Sequence, residues 1–197
     1  MDTRPPPSPP VTEPELRDLD RLQETLWVAQ AREGDANAFA CLVARHERPL
    51  YYYLRRFIPQ PEAALDAYQD VWLDAFRGLR QLRAPEAFRA WLYRIAHDKA
   101  MRSLRREIRH ERQTEPLVEA HEAVAEAAEE PHDAEAVHQA LSRLPPLWCE
   151  VLTLHYLRDL SLEEMAAVIG CPVGTVKSRL HHARLSLQRL LERNRHE

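Results

Sequence analysis

The stretch SLEEMAAVIGCPVGTVKSRLHHARLSLQRLL, residues 161–191, decides the fold. Leu162, Met165, Ala166 and Ile169 recur at i, i+3, i+4 and i+7, the apolar face of a 3.6-period helix. Ser161 and Glu164 fit the capping box, in which each side chain satisfies a free N–H of the first turn. Gly170 suits the left-handed residue that ends a helix, and Pro172 suits the first turn of the next. In that second helix Val173, Val176, Leu180, Ala183, Leu187 and Leu190 are expected to be buried. Lys177, Ser178, His181 and His182 share the opposite face, with Thr175 and Arg179 on the flanks. Two helices on a tight turn, the second polar and basic, form a helix-turn-helix whose second helix reads base edges in a major groove. An αα-hairpin with a merely solvated face has the same pattern. The absence of any acid between Pro172 and Leu191 favours the DNA reading.

Composition bounds the remaining classes. The 197 residues suit one medium or two small domains, and 45% hydrophobic content supports packed cores. Only 4 glycines occur, and neither phosphate-cradling glycine motif is present, which weakens a nucleotide-dependent enzyme. A net charge of −4 is unusual for a nucleic-acid binder, but the charge is segregated. Nine Lys or Arg and four acids lie between residues 83 and 112, and eight acids with no Lys or Arg between 113 and 136. Cys41, Cys149 and Cys171 are odd in number and far apart, which suggests free thiols rather than a disulfide framework. The ten histidines show no metal spacing, so neither metal nor cofactor is expected. The N-terminus lacks a secretory signal and no apolar run approaches the ~20 residues of a membrane span, so no membrane insertion and a cytoplasmic location are expected.

PVGTVKSRLHHARLSL, preceded by LPPLWCEVLTLHYLRDLSLEEMAAVIG, resembles the C-terminal promoter-reading region of bacterial extracytoplasmic-function (ECF) sigma factors. The resemblance implies that the second helix reads the minus-thirty-five element. On this reading Lys177, Ser178, His181 and His182 face bases, while Arg179 and Arg184 sit on the shoulders for phosphates.

The rest of the chain fits. Residues 1–15 read as a disordered Pro-rich tail. From 16 to 56 the pattern is helical, with a stop at Gly34 and a new N-cap at Asp35. GDANAFACLVARHERPLYYYLRRF is similar to the opening of the sigma N-terminal domain. In PEAALDAYQDVWLDAFRGL (residues 61–79), Ala64, Ala67, Tyr68, Val71, Ala75 and Leu79 mostly point one way. Glu62, Asp66, Asp70 and Asp74 stack at every fourth residue, a mildly repulsive stripe that suits a basic partner as well as a solvated face. DAYQDVWLDAF matches the family helix that docks on the polymerase clamp, which implies polymerase-binding roles for Asp66, Gln69, Asp70, Trp72 and Asp74.

In LRQLRAPEAFRAWLYRIAHDKAMRSLRRE, Pro85 is expected to start a helix with Phe88, Trp91, Leu92, Ile95 and Leu104 on its apolar face. Aromatics interleaved with cations suit single-stranded DNA, although Trp91 reads as core. FRAWLYRIA resembles the family's promoter-melting segment. That implies a loop from 81 to 86, carrying Arg83, that captures a flipped base of the minus-ten element. Arg89, Arg94, Asp98, Lys99 and Arg102 would line the melted strand and nearby duplex. Asp98 departs from the family, which usually has Asn there.

Residues 107–135 read as a flexible acidic linker, placed in the polymerase RNA path by the resemblance and equally consistent with a solvated spacer. The expected architecture is all-α: an N-terminal sigma domain over 16–106 and a C-terminal helix-turn-helix domain over 136–197, halves that need not touch. The resemblance implies core RNA polymerase and promoter DNA, duplex and melted, as partners, and admits an anti-sigma factor. The alternatives are a stand-alone helix-turn-helix regulator and an enzyme, but no converging catalytic groups support an enzyme.

Overall fold

The computed structural model describes residues 13–111, 140, 141 and 143–194, and among them there are helices and turns but no strand. The Pro-rich tail up to residue 12 and the acidic stretch from 112 to 135 lie outside the described residues.

The first half is built from four helices, α1 (Glu13–Arg32), α2 (Ala36–Arg55), α3 (Pro61–Gly78) and α4 (Phe88–Glu111). Gly34 ends α1 at φ +102°, a conformation that a Cβ would strain, and Asp35 opens α2. The Asp35 carboxylate accepts from the N–H groups of Asn37 and Ala38 at 2.8 and 3.2 Å, satisfying two donors of the first turn. Pro49 lies inside α2, which nevertheless continues to Arg55. Leu42, His46, Leu50, Tyr53 and Leu54 turn inward from it at helical spacing.

Between α3 and α4 the chain makes two 3-10 turns, Leu79–Gln81 and Pro85–Ala87, so α4 proper begins at Phe88 rather than at Pro85. Gly78 is required by packing: a Cβ there would stand 2.9 Å from the Trp91 ring. Helix α4 buries Phe88, Leu92, Tyr93, Ala96 and Ala100 and runs five residues past the expected boundary at Arg106.

The second half comprises α5 (Pro146–Leu152), a π-turn (Thr153–Leu157), α6 (Leu162–Ile169) and α7 (Val173–Asn194). The Ser161–Glu164 capping box is present, with its two reciprocal bonds at 3.1 and 2.8 Å. Gly170 takes φ +73°. Pro172 stands one position ahead of α7, where its carbonyl accepts from Thr175 and Val176. On α7, Val176, Leu180 and Ala183 are buried and Leu187 and Leu190 half-buried, but Val173, the first residue of the helix, is exposed. On α6 the fully buried residues are Met165 and Val168. Met165 is on the expected stripe with Leu162, Ala166 and Ile169, which are half-buried; Val168 lies off it and is buried because α6 is held between α7 and α4.

The two halves share one core. Apolar residues from Val28 through Ala100 join those from Leu141 through Ala183 in one continuous cluster, with α4 packed directly on α6. Polar contacts cross the same boundary. The Tyr53 hydroxyl donates to Glu150 Oε1 at 2.5 Å, and His97 Nδ1 lies 2.8 Å from the same oxygen. Arg56 donates to the Leu141 carbonyl at 2.6 Å, and Arg21 to the Asp159 carbonyl at 2.9 Å. The expectation that the halves need not touch therefore gives way to a closed arrangement. A helical period identifies an apolar face but not which half covers it.

Candidate nucleic-acid interface

Helix α7 presents its polar face because its other side is spent on the domain core. Lys177, Ser178, His181, His182 and Arg184 are exposed, while Thr175 and Arg179 are half-buried. The Ser178 hydroxyl donates to the Thr175 carbonyl at 3.0 Å, which leaves its lone pairs as acceptors. The His182 ring stacks on Trp148, with centroids 6.4 Å apart and planes at 20°, and His181 meets His182 edge-on at 5.6 Å. On the other flank the Arg184 guanidinium lies 5.2 Å from the centre of the Tyr156 ring. His182 and Arg184 are thus both partly held by aromatic rings of the α5–π-turn segment. Sequence periodicity missed Trp148 and Tyr156, since each is aligned to α7 only by the crossing of the helices.

The cations expected to meet melted DNA fall into four environments. Arg83 and Arg102 are exposed. Arg94 is exposed but engaged: its guanidinium donates to the carbonyls of Ala167 and Val168 at 2.5 and 3.5 Å and lies 3.5 Å from Asp98. Those carbonyls end α6, where unpaired acceptors and the negative end of the helix dipole attract a cation. Lys99 is folded against α3, with its ammonium 2.8 Å from Asp74 and 3.3 Å from Asp70. Burial opposes its charge, but the two carboxylates outweigh burial and raise its pKa.

Arg89 is brought to neither surface. It pairs with Glu24 of α1, whose second oxygen stands 2.5 Å from His46 Nε2. Burial would lift the Glu24 pKa, yet His46 and Arg89 bring it below the ordinary value. Burial lowers the His46 pKa despite the carboxylate beside it. This triad, buried at Glu24 and His46 and half-buried at Arg89, fastens α1 to α2 and α4, a structural post for Arg89 that neither spacing nor the family resemblance revealed.

On α3, Asp66, Gln69 and Asp70 are exposed and Asp74 half-buried, forming one acidic edge. Trp72 is different: only 8% exposed, it meets Phe39 edge-on at 5.8 Å inside the core. The residues missed here are apolar. Leu65, Leu73 and Phe76 are 47%, 51% and 62% exposed, and with Gln69 they run beside the acidic edge. Their signal was in the sequence: large side chains at a helical spacing offset from Ala64, Val71 and Ala75.

Among the described residues no group of three or more His, Cys, Asp or Glu is arranged to hold a metal, and no helix is long and apolar enough to cross a membrane.

An exposed basic helix on one half, with a cation-rich helix and an acidic-apolar edge on the other, is the layout expected of a two-part promoter-recognition factor. Residues 42–110 match the family model for Sigma-70 region 2, and residues 134–187 match Sigma-70, region 4. The RNA polymerase sigma-H factor of Pseudomonas aeruginosa is 32% identical over 188 residues, covering 88% of this chain and 96% of that protein. The ECF RNA polymerase sigma-E factor of Escherichia coli is 30% identical over 177 residues, covering 84% and 92%. Two solved structures share the fold. CnrH in complex with the cytosolic domain of CnrY matches with a TM-score of 0.59 at 29% identity, over 86% of this chain and 97% of that one. The sigma factor RpoE of Bartonella quintana, in complex with the anti-sigma factor NepR, matches with a TM-score of 0.67 at 25% identity, over 78% and 96%. The chain belongs to the ECF sigma factors of the sigma-70 family, and its function is promoter-specific transcription initiation with core RNA polymerase.

Proposed function

We propose that the work is divided among three faces. The outer edge of α3 docks core RNA polymerase, the exposed α4 cations Arg94 and Arg102 with Arg83 hold the melted minus-ten strand, and α7 reads the minus-thirty-five duplex. The observation that carries the docking role is the pairing of Asp66 and Asp70 with exposed Leu65, Leu73 and Phe76. Acids alone suit solvent, but three large apolar side chains beside them form a patch that a partner with a basic, apolar surface would cover. Within this division Asp66, Gln69 and Asp70 contact the polymerase directly, and Trp72 supports the edge from beneath. Lys177, Ser178, His181 and His182 face base edges, and Arg179 and Arg184 face phosphates. The protein acts as a non-enzymatic specificity subunit in the cytoplasm, where polymerase and promoters are found. An anti-sigma factor of the kind bound by the Bartonella RpoE is a fitting regulator.

The test is reconstitution. Purified chain and core polymerase should form a complex that initiates from a selected promoter, and Asp66→Lys with Asp70→Lys should abolish co-purification without altering helical circular dichroism. Undiminished polymerase binding by that double variant would overturn the docking role.

A further inference from the structure

The exposed face of α7 is completed by a side chain from another helix. Trp148 stands in the first turn of α5, where Pro145 precedes the helix and Pro146 opens it. Its backbone N–H donates to the Pro145 carbonyl at 2.9 Å, and Cys149 and Val151 beyond it are fully buried. The indole is half-buried, packed against the core along one side. Its place is therefore fixed by α5 and the core, independently of the α7 side chains that face solvent.

Against this fixed ring lies His182. The two planes are 20° apart and the centroids 6.4 Å apart, an offset stack. His182 in turn meets His181 at 65°, with centroids 5.6 Å apart. Three rings from two helices thus form a row on the exposed side of α7. An exposed histidine standing alone samples several rotamers, and fixing one on binding costs entropy. A ring supported by a fixed neighbour has fewer rotamers to lose, which is the advantage of preorganisation. Base reading depends on it, because a hydrogen bond to a base edge weakens steeply with misalignment.

We infer that Trp148 is a positioning residue for promoter reading: it holds the His182 imidazole in the orientation that reads one base pair of the minus-thirty-five duplex. The reading face then spans two helices, and part of its specificity is set from α5. Tyr156 supports the Arg184 guanidinium in a comparable way, but a phosphate contact carries no sequence information. Only the Trp148 contact therefore bears on preference. The inference rests on the base-facing role of His182 proposed above.

The experiment uses holoenzyme reconstituted from the full chain and core polymerase. It selects from promoters with a fixed minus-ten element and a randomised minus-thirty-five element. Trp148→Leu and Trp148→Met fill the site without a flat ring, the second guarding against a folding defect in the first, and Trp148→Phe restores a ring. His182→Ala should relax preference about tenfold at one position. Trp148→Leu and Trp148→Met should relax the same position by about three- to tenfold and leave the others unchanged. Combining either with His182→Ala should add nothing further, as for two residues acting through one contact. Trp148→Phe should keep most of the preference. A lower thermal midpoint with all promoters weakened alike and the preference intact would make Trp148 purely structural and overturn the positioning. Additive losses in the double variant would overturn it as well. If His182→Ala alone leaves the preference unaltered, base reading by His182 falls, and the positioning falls with it.

Discussion

The Lys99 ammonium lies 2.8 Å from the Asp74 carboxylate, so α4 and α3 are joined through two of the charges proposed from the sequence to serve melting and docking. Asp70 shares the cation at 3.3 Å. The raised Lys99 pKa means that its contribution to stability is complete below the ordinary lysine value and is lost as pH rises through the folded one. At neutral pH the bridge is therefore intact. Because both acids are substantially exposed, Lys99→Met should cost about 1 kcal/mol or less. Thermal unfolding at pH 7.5 measures this, and the deficit relative to wild type should shrink only under strongly alkaline conditions.

Acid should loosen the attachment of α1. Glu24 and His46 both have lowered pKa values, so the folded protein binds fewer protons than the unfolded chain. The contribution of His46 is present above its ordinary pKa of about 6.5, and that of Glu24 above the usual carboxylate range. Each is lost as pH falls through the lowered folded value. The melting temperature should fall on acidification below about pH 6.5, and His46→Gln should flatten the first part of that fall. An identical pH profile for the variant would remove His46 from the account.

Gly78→Ala pits helix propensity against sterics. Alanine favours a helix by about 0.5–1 kcal/mol over glycine, but its Cβ would meet the Trp91 ring at 2.9 Å. The clash is with a bulky ring packed against the core, so it should win, with a net loss of about 1–2 kcal/mol. Trp91→Leu in the same chain should recover part of the loss, and urea denaturation of both variants and their double decides the matter.

The exposed apolar residues of α3 should matter for polymerase more than for folding. Leu73→Ser with Phe76→Ser replaces side chains that are 51% and 62% exposed, so the thermal midpoint should hardly change. Affinity for core polymerase should drop at least tenfold, as a surface titration would show. A large fall in stability with normal affinity would mark these residues as structural.

Base-facing and phosphate-facing residues of α7 should separate in a selection from randomised promoter duplexes. His181→Ala and Lys177→Ala should relax preference at one or two positions, each costing about 1–3 kcal/mol. Arg184→Ala should weaken all sequences alike and flatten the salt dependence. Because the Arg184 guanidinium lies over Tyr156, the effect of its loss should be smaller in a Tyr156→Leu background. The same preferred sequence in all three single variants would mean that another surface reads the DNA.

What the sequence determined by itself is local. The Ser161 capping box, the left-handed Gly170, the Asp35 N-cap and the alternation of apolar and polar faces follow from hydrogen-bonding chemistry within a few residues. Such chemistry is legible wherever it occurs. The helix-turn-helix and the acidic stripe of α3 were readable on the same grounds. Tertiary structure decided which of several equivalent charges meet a partner inside the chain. Arg89, Arg94, Lys99 and Arg102 look alike in a basic helix. Yet Arg89 is paired with Glu24, Arg94 lies on the end of α6, Lys99 is held by Asp70 and Asp74, and Arg102 is exposed. Glu150 likewise reads as an ordinary surface acid until Tyr53 and His97, 97 and 53 residues away, close over it. A cation's partner is chosen by packing between distant segments, and no period along the chain carries that information.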